Sequence, residues 1–151
     1  MLRLALYQPD IPGNTGTMLR MAACLGVAVD IIEPAGFDVS DRHLRRSGLY
    51  YLDHAAITRH RSWNAFEAWR RETGIRLVLA TTAGALPYTR FAFRDGDCVL
   101  VGRESAGVPE AVHAAADAAV VVPIRSGMRS LNVAVAAAMI LEEADRQTSA
   151  A

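Results

Sequence analysis

The sequence predicts an α/β fold in which a parallel sheet is covered by helices on both faces. Two observations carry this. Segments of strand character alternate with segments of helical spacing along the chain, and the strands are mostly short continuous apolar runs. At 151 residues the chain fits one domain, residues 1–151, large enough to bury a proper core. No internal repeat divides it, and its only low-complexity features are alanine-rich patches.

Taken in order, Leu2-Arg3-Leu4-Ala5-Leu6-Tyr7 alternates as a strand does, and the turn-rich Gln8-Pro9-Asp10-Ile11-Pro12-Gly13-Asn14 ends it. Residues 15–25 carry Met18, Leu19, Ala22 and Leu25 at helical spacing, with Gly26 placed as the C-cap. Residues 27–32 form a short strand stopped by Glu33-Pro34. The polar stretch 37–51 holds a short helix with Asp41 as its N-cap, and residues 55–58 suit an edge strand. Ser62 caps a helix in which Trp63, Phe66 and Trp69 recur every three residues and which closes at Gly74. Strands follow over 75–80 and 97–101, then a helix over 109–116 with proline in its first turn. A strand over 119–123 and a helix from Leu131 to about residue 146, with Ser130 as its natural N-cap, complete the chain.

Composition removes several function classes. All sixteen basic residues are arginine, so chemistry that needs a lysine is excluded, including the P-loop and the pyridoxal Schiff base. Net charge is zero, yet residues 42–76 hold eight arginines against three acids, which allows a local basic face for phosphate. Four histidines show no metal-ligand spacing, so no metal is expected; neither G-x-S-x-G nor G-x-G-x-x-G occurs. Met1-Leu2-Arg3 leads straight into a strand, and no apolar run reaches the roughly 20 residues of a membrane span, so neither a signal peptide nor a membrane association is expected. Cys24 and Cys98 are isolated and read as buried small hydrophobes in a reducing, cytoplasmic setting.

Ligands of open α/β sheets bind beyond the carboxyl ends of the strands. The loops after Ala80, Val101 and Pro123 are therefore the first places to look. Gly102 opens one of them without a Cβ, so a flat ligand has room against the backbone; a branched side chain there should abolish binding at unchanged stability. Taken singly, each loop is also an ordinary turn.

Three segments occur together in order: Asn14-x-Gly16 followed by Arg20; Leu100-Val101-Gly102-Arg103-Glu104-Ser105-x-Gly107-Val108-Pro109; and Val122-Pro123-Ile124 with Ser130-Leu131-Asn132. They resemble the three motifs of SPOUT methyltransferases. The opening from Leu6 to Gly16, with Ile31-Ile32-Glu33-Pro34 and Leu44-Arg45-Arg46-Ser47-Gly48-Leu49, narrows the resemblance to the small tRNA (cytidine/uridine-34) 2′-O-methyltransferases. It runs from Met1 nearly to the end of the chain. The resemblance implies a deep trefoil knot in the C-terminal third, S-adenosyl-L-methionine as cofactor, and a homodimer with composite active sites. It also implies 2′-O-methylation of the wobble ribose in the tRNA anticodon loop. Carried over by position, cofactor contacts fall on Ala80, Thr81, Gly102, Glu104, Val122, Ile124, Ser130 and Leu131, largely through backbone groups. Arg20 and Asn132 are the catalytic candidates, and Asn14, Arg45, Arg46 and Arg129 the RNA-binding ones. Ala134 and Val135 stand where relatives carry Ser or Asn, and Glu142 where some carry tyrosine. The small residues of the last helix suit a buried core helix or a dimer seam, and the resemblance favours the seam.

Methyl transfer from a sulfonium is an in-line displacement, in which orientation is worth roughly 7–11 kcal/mol. Arg20 resembles the family's catalytic arginine, its position defined by a helix starting at the Asn14-Thr15-Gly16 turn. Guanidinium has a pKa above about 12 and no acceptor, so it suits polarising the 2′-hydroxyl and stabilising the alkoxide, while a phosphate or water takes the proton. The alternatives are another tRNA site or ribosomal RNA as substrate, or a catalytically silent RNA-binding protein on the same scaffold. Intact Asn14, Arg20 and Glu104 argue against silence.

Overall fold

The computed structural model describes residues 1–46, 56–83 and 86–149; the side chains of Asp41, Arg45 and Arg46 also lie outside the description. Strand β1 (Arg3–Tyr7) is followed by α1 (Pro12–Leu25), β2 (Ala28–Ile32), α2 (Asp41–Arg46) and β3 (Ile57–His60). Then come α3 (Trp63–Thr73), β4 (Leu77–Ala80), β5 (Leu86–Pro87), a 3₁₀ turn (Tyr88–Arg90) and β6 (Cys98–Val101). Helix α4 (Glu110–Ala115), β7 (Ala118–Val121) and α5 (Val133–Thr148) end the order. The strands form one seven-stranded sheet in the order β3-β2-β1-β6-β4-β7-β5, and every pairing is parallel.

Successive strand residues point to opposite faces, which divides the core in two. Leu4 and Leu6 of β1, Val29 and Ile31 of β2, and Val99 and Val101 of β6 pack with Met18 and Leu19 of α1 and with Ile140 and Leu141 of α5. On the other face Ala5, Tyr7, Ile32, Leu77, Leu79 and Leu100 pack with Phe66 of α3 and Val112 of α4. Asp30 faces this second side, wholly buried. It is held by Arg3 through Nε at 2.9 Å and Nη2 at 3.0 Å, and by His60 Nε2 at 2.9 Å. His60 also lies against Phe66 and Trp69, so this histidine is spent on the core.

Local differences from expectation have identifiable causes. Helix α1 begins at Pro12, so Asn14, Thr15 and Gly16 lie in its first turns and not in a turn before it. Proline at N1 supplies a helical φ and lacks only an N–H that would be unpaired anyway. Gly26 closes α1 at φ 68°, and Gly74 closes α3 at φ 72°, while the Ser62 side chain caps α3 by accepting from the Ala65 N–H. In α2 the capping oxygen is the Ser40 hydroxyl, which accepts the His43 N–H at 3.3 Å; Asp41 is already helical. Pro109 is the N-cap residue of α4. Helix α5 starts two residues later than expected, because Asn132 is the cap and not Ser130. The edge strand runs over β3 and not over 55–58, and Ala55 lies outside the described residues. Cys98 is buried, but Cys24 is exposed on the outer face of α1. Strand β5 has two residues and so no periodicity to detect.

Candidate functional site

Because all strands are parallel, the loops after β1, β2, β3, β4, β6 and β7 leave the same rim of the sheet. A cleft of about 830 Å³ opens there, between the ends of β6, β4 and β7 and the start of α5. Its size is in the range of small-molecule sites. Ala80, Thr81, Gly102, Glu104, Val122, Ile124, Ser130 and Leu131 all line it, as do Asn14, Arg129 and Asn132. Residues separated by over a hundred positions thus meet in one cleft. Much of the lip is apolar, with Ile124, Met128 and Leu131 exposed.

The loop after β6 doubles back on itself. Arg103 N–H donates to the Gly107 carbonyl at 3.0 Å and Gly107 N–H to the Arg103 carbonyl at 2.8 Å, with Gly107 at φ 65°. A Cβ on Gly102 would stand 2.7 Å from the Gly107 carbonyl carbon. The missing side chain at 102 therefore makes room for the chain itself. This corrects the expectation that a branched residue there would spare stability: it must first displace the loop.

Asn132 joins two helices. Its Oδ1 accepts from Ala134 N–H at 2.8 Å and Val135 N–H at 3.3 Å, capping α5, and its Nδ2 donates to Asn14 Oδ1 at 3.0 Å. The carboxamide orientation is set by these partners, and α1 and α5 are pinned together at the edge of the cleft. Ala134 is buried against the core, whereas Val135 and Glu142 are exposed. Val135 and Met139 are exposed on α5, outside the cleft lining.

A polar network reaches from Arg103 and Glu104 in the cleft wall to Gln8, Asp10 and Ser105, three residues that the sequence reading did not assign to the site. Gln8, the first residue after β1, has φ 42°, a strained value for a residue with a side chain. Its Oε1 accepts from Arg103 Nη1 at 3.5 Å. Arg103 Nε lies 3.7 Å from Asp10 Oδ2, and the Ser105 hydroxyl donates to the same oxygen. Asp10 N–H donates to Glu104 Oε2 at 3.3 Å. The Glu104 side-chain contact, then the Ser105 hydroxyl and Arg103, hold the Asp10 carboxyl below its ordinary range. Burial, then the contact with Asp10, pushes Glu104 up. Asp10 and Ser105 stood inside recognised segments, but only the fold shows that they touch.

Other candidates stand apart. Arg20 is exposed on α1 and does not line the cleft of its own chain. Arg45 and Arg46 end α2, with their side chains outside the described residues, as are residues 47–49. The arginine-rich stretch divides between the two ends of the sheet. Arg61 follows β3, at the far edge of the sheet from the cleft but on the same rim. Arg70 is buried with Glu67 and Asp117, and Arg76 pairs with Asp97 and covers Phe91, both consumed by structure near the opposite end. Among the described residues, no group of three or more His, Cys, Asp or Glu is placed to hold a metal, and no helix is long and apolar enough to cross a membrane.

A parallel sheet with loops from β4, β6 and β7 converging on one cleft, and the three ordered motifs on those loops and on α1, define an RNA-methylase type of site. The chain belongs to the SpoU rRNA Methylase family, which it matches over residues 1–142. It is 68% identical over 147 residues to a tRNA (cytidine(34)-2'-O)-methyltransferase of Beijerinckia indica subsp. indica, covering 97% of this chain and 92% of that protein. It is similar to a solved structure described as "Structural insights into the 2-OH methylation of C/U34 on tRNA", at 40% identity and TM-score 0.89, covering 97% of this chain and 95% of that one. The SpoU methyltransferase AviRb from Streptomyces viridochromogenes, in complex with the cofactor AdoMet, is similar at 32% identity and TM-score 0.85, over 96% of this chain and 59% of that one.

Proposed function

We propose that this protein transfers a methyl group from S-adenosyl-L-methionine to the 2′-hydroxyl of the ribose at position 34, the wobble nucleotide, of tRNA. The observation that carries the reading is the cleft. Its lining brings together all eight positions expected to hold the cofactor. The relatives supply the reaction: a cytidine-34 2′-O-methyltransferase of nearly equal length, and an AdoMet-bound neighbour of the same fold. The reading extends to one catalytic domain over residues 1–151, a trefoil knot made by the loops after β6 and β7, and a cytoplasmic setting. The near full-length match to a tRNA enzyme favours this substrate over ribosomal RNA.

The cleft fits the cofactor by its volume and by its lining. Backbone groups of the three loops are available to read a base edge, and the Ile124–Leu131 lip covers an apolar face. When bound, the cofactor supplies an electrophilic methyl on a sulfonium. The chain's own residues align and polarise. Asn132 holds α5 and α1 in register, and Arg129, exposed at the mouth, meets phosphate. Arg20 serves the cleft of a second copy, since it stands outside the cleft of its own chain. A homodimer joined through α1 and α5, whose exposed Val135 and Met139 lie on the outer face of α5, brings the arginine to the partner's cofactor. There the guanidinium stabilises negative charge on the 2′-oxygen, and the anticodon loop is held beside it by Arg45 and Arg46.

The test is single-turnover methyl transfer to an unmodified tRNA transcript. Arg20→Ala should lower the rate on the order of a hundredfold or more, the effect of removing one donor from a developing oxyanion. Cofactor binding should persist, and Arg20→Lys should recover little, because the planar fork is lost. A near-normal rate in Arg20→Ala would remove Arg20 from the reaction.

A further inference from the structure

We propose that Arg103 is an RNA-binding residue of the cleft, its guanidinium held ready for a backbone phosphate of the tRNA segment that carries the target ribose. This contact rests on the function proposed above and names how its RNA is held. Arg103 follows Gly102 in the loop after β6 and lines the cleft. Its side chain turns toward the end of β1: Nη1 donates to Gln8 Oε1 at 3.5 Å, and Nε lies 3.7 Å from Asp10 Oδ2. In the sheet, β1 and β4 flank β6 on opposite sides, and β7 lies beyond β4. The guanidinium therefore leans away from Ala80, Thr81, Val122 and Ile124, which stand on the loops after β4 and β7. It leans toward the half of the rim that carries the loop after β2, and that loop leads into the helix of Arg45 and Arg46.

The fold consumes little of this arginine. Arg3 spends Nε and Nη2 on Asp30 at 2.9 and 3.0 Å. Arg76 donates twice to Asp97 and once to the Ala92 carbonyl, at 2.7 to 2.9 Å. Arg70 donates to Glu67, to Asp117 and to the Ile75 carbonyl. Arg103 makes one hydrogen bond among the described residues, the long one to Gln8, and its buried Nε has no hydrogen-bond partner there. Asp10 is close enough to balance the charge, but its Oδ2 already accepts the Ser105 hydroxyl. The carboxylate thus steers the guanidinium without using up its donors, and the side chain stays 35% exposed.

Two further observations point to a ligand. Gln8 holds φ 42°, a conformation that costs free energy in a residue with a side chain and that gathers at ligand sites. That strained residue is the one that meets Arg103 Nη1. The cleft lining also carries Arg103, Arg125 and Arg129 against one carboxylate, Glu104, on a chain of zero net charge. A planar fork matches two oxygens of one phosphate. Gripping the backbone beside the target ribose would fix the sugar, and in-line transfer depends on that alignment.

The experiment measures binding of a tRNA anticodon stem-loop across a salt series, by fluorescence anisotropy, for wild type, Arg103→Gln and Arg103→Lys. Arg103→Gln should bind about tenfold or more weakly at low salt, the effect of losing a charged hydrogen bond. Its salt slope should fall by about 0.7, the share of one single-strand phosphate. Arg103→Lys should keep the slope and recover part of the affinity. Calorimetry with S-adenosyl-L-methionine and thermal unfolding should both stay near wild type. Gln8→Gly, which relieves the strained φ, should melt no lower than wild type and still bind the stem-loop more weakly. Unchanged affinity and slope in Arg103→Gln overturn the proposal. So does a loss confined to cofactor binding, which would give the guanidinium to the cofactor's carboxylate, and so does a loss of tRNA binding that only tracks a fall in Tm. Stem-loop binding in Gln8→Gly equal to wild type would overturn the steering by Gln8. A wild type that binds the stem-loop and transfers no methyl, with the slope still reduced in Arg103→Gln, would count against the function and not against the contact.

Discussion

Replacing Asn132 by alanine removes three hydrogen bonds that one side chain makes: two to the first amides of α5 and one to Asn14 on α1. Loss of an asparagine N-cap costs about 1 kcal/mol, within a range of about 0.5–2. The bond to Asn14 is exposed and adds about 0.5 kcal/mol, the low end for a neutral pair. Together about 1.5 kcal/mol is lost, which at about 2–4 °C per kcal/mol for a chain of this size lowers Tm by about 3–6 °C. The assay is thermal unfolding followed by circular dichroism, with Asn132→Asp and Asn14→Ala as companions. Aspartate caps as well as asparagine does, and Asn14 can turn its amide to donate, so Asn132→Asp should recover most of the loss. Asn14→Ala should cost only the smaller share. Ser130 and Leu131 lie immediately before the cap, so Asn132→Ala should also weaken cofactor binding. If Asn132→Ala melts at the wild-type temperature, or Asn132→Asp melts as low as the alanine variant, the capping argument fails.

Gly102→Val should lower stability and cofactor affinity together, by about 1–3 kcal/mol of overpacking, because its side chain enters the Gly107 backbone before it meets any ligand. Calorimetry and thermal unfolding on one preparation check this, and an undisturbed Tm would show that the loop yields freely. Replacing both Arg45 and Arg46 by alanine should weaken tRNA binding and flatten its dependence on salt, with cofactor affinity unchanged, as filter binding across a salt series would show. Unchanged affinity at low salt would place the RNA elsewhere.

Much of this protein was legible in its residues. The alternation of apolar strands with helical spacing determines a parallel, double-faced sheet, because strands buried on both sides cannot tolerate polar alternation. Ser62 and Gly74 mark the ends of α3 through local capping chemistry, which needs no tertiary partner. The three motifs named the family and the cleft-lining positions, since each lies in a loop that follows a strand or in the first turns of α1. What the tertiary structure alone decided is which of these groups meet. Asn132 caps α5 in preference to Ser130 because α1 brings Asn14 within 3.0 Å of its amide. Gly102 is required by Gly107 five residues on, a fold-back that no pattern announces. Arg70 and Arg76 resemble their surface neighbours in sequence, yet long-range carboxylates, Asp117 and Asp97, draw them into structure. Asp10 and Glu104 are ninety-four residues apart, and only the neighbouring ends of β1 and β6 bring the Asp10 N–H within 3.3 Å of the Glu104 carboxylate. Local chemistry is written in short spacings; proximity between distant charges is set by strand order, and strand order exists only once the sheet has formed.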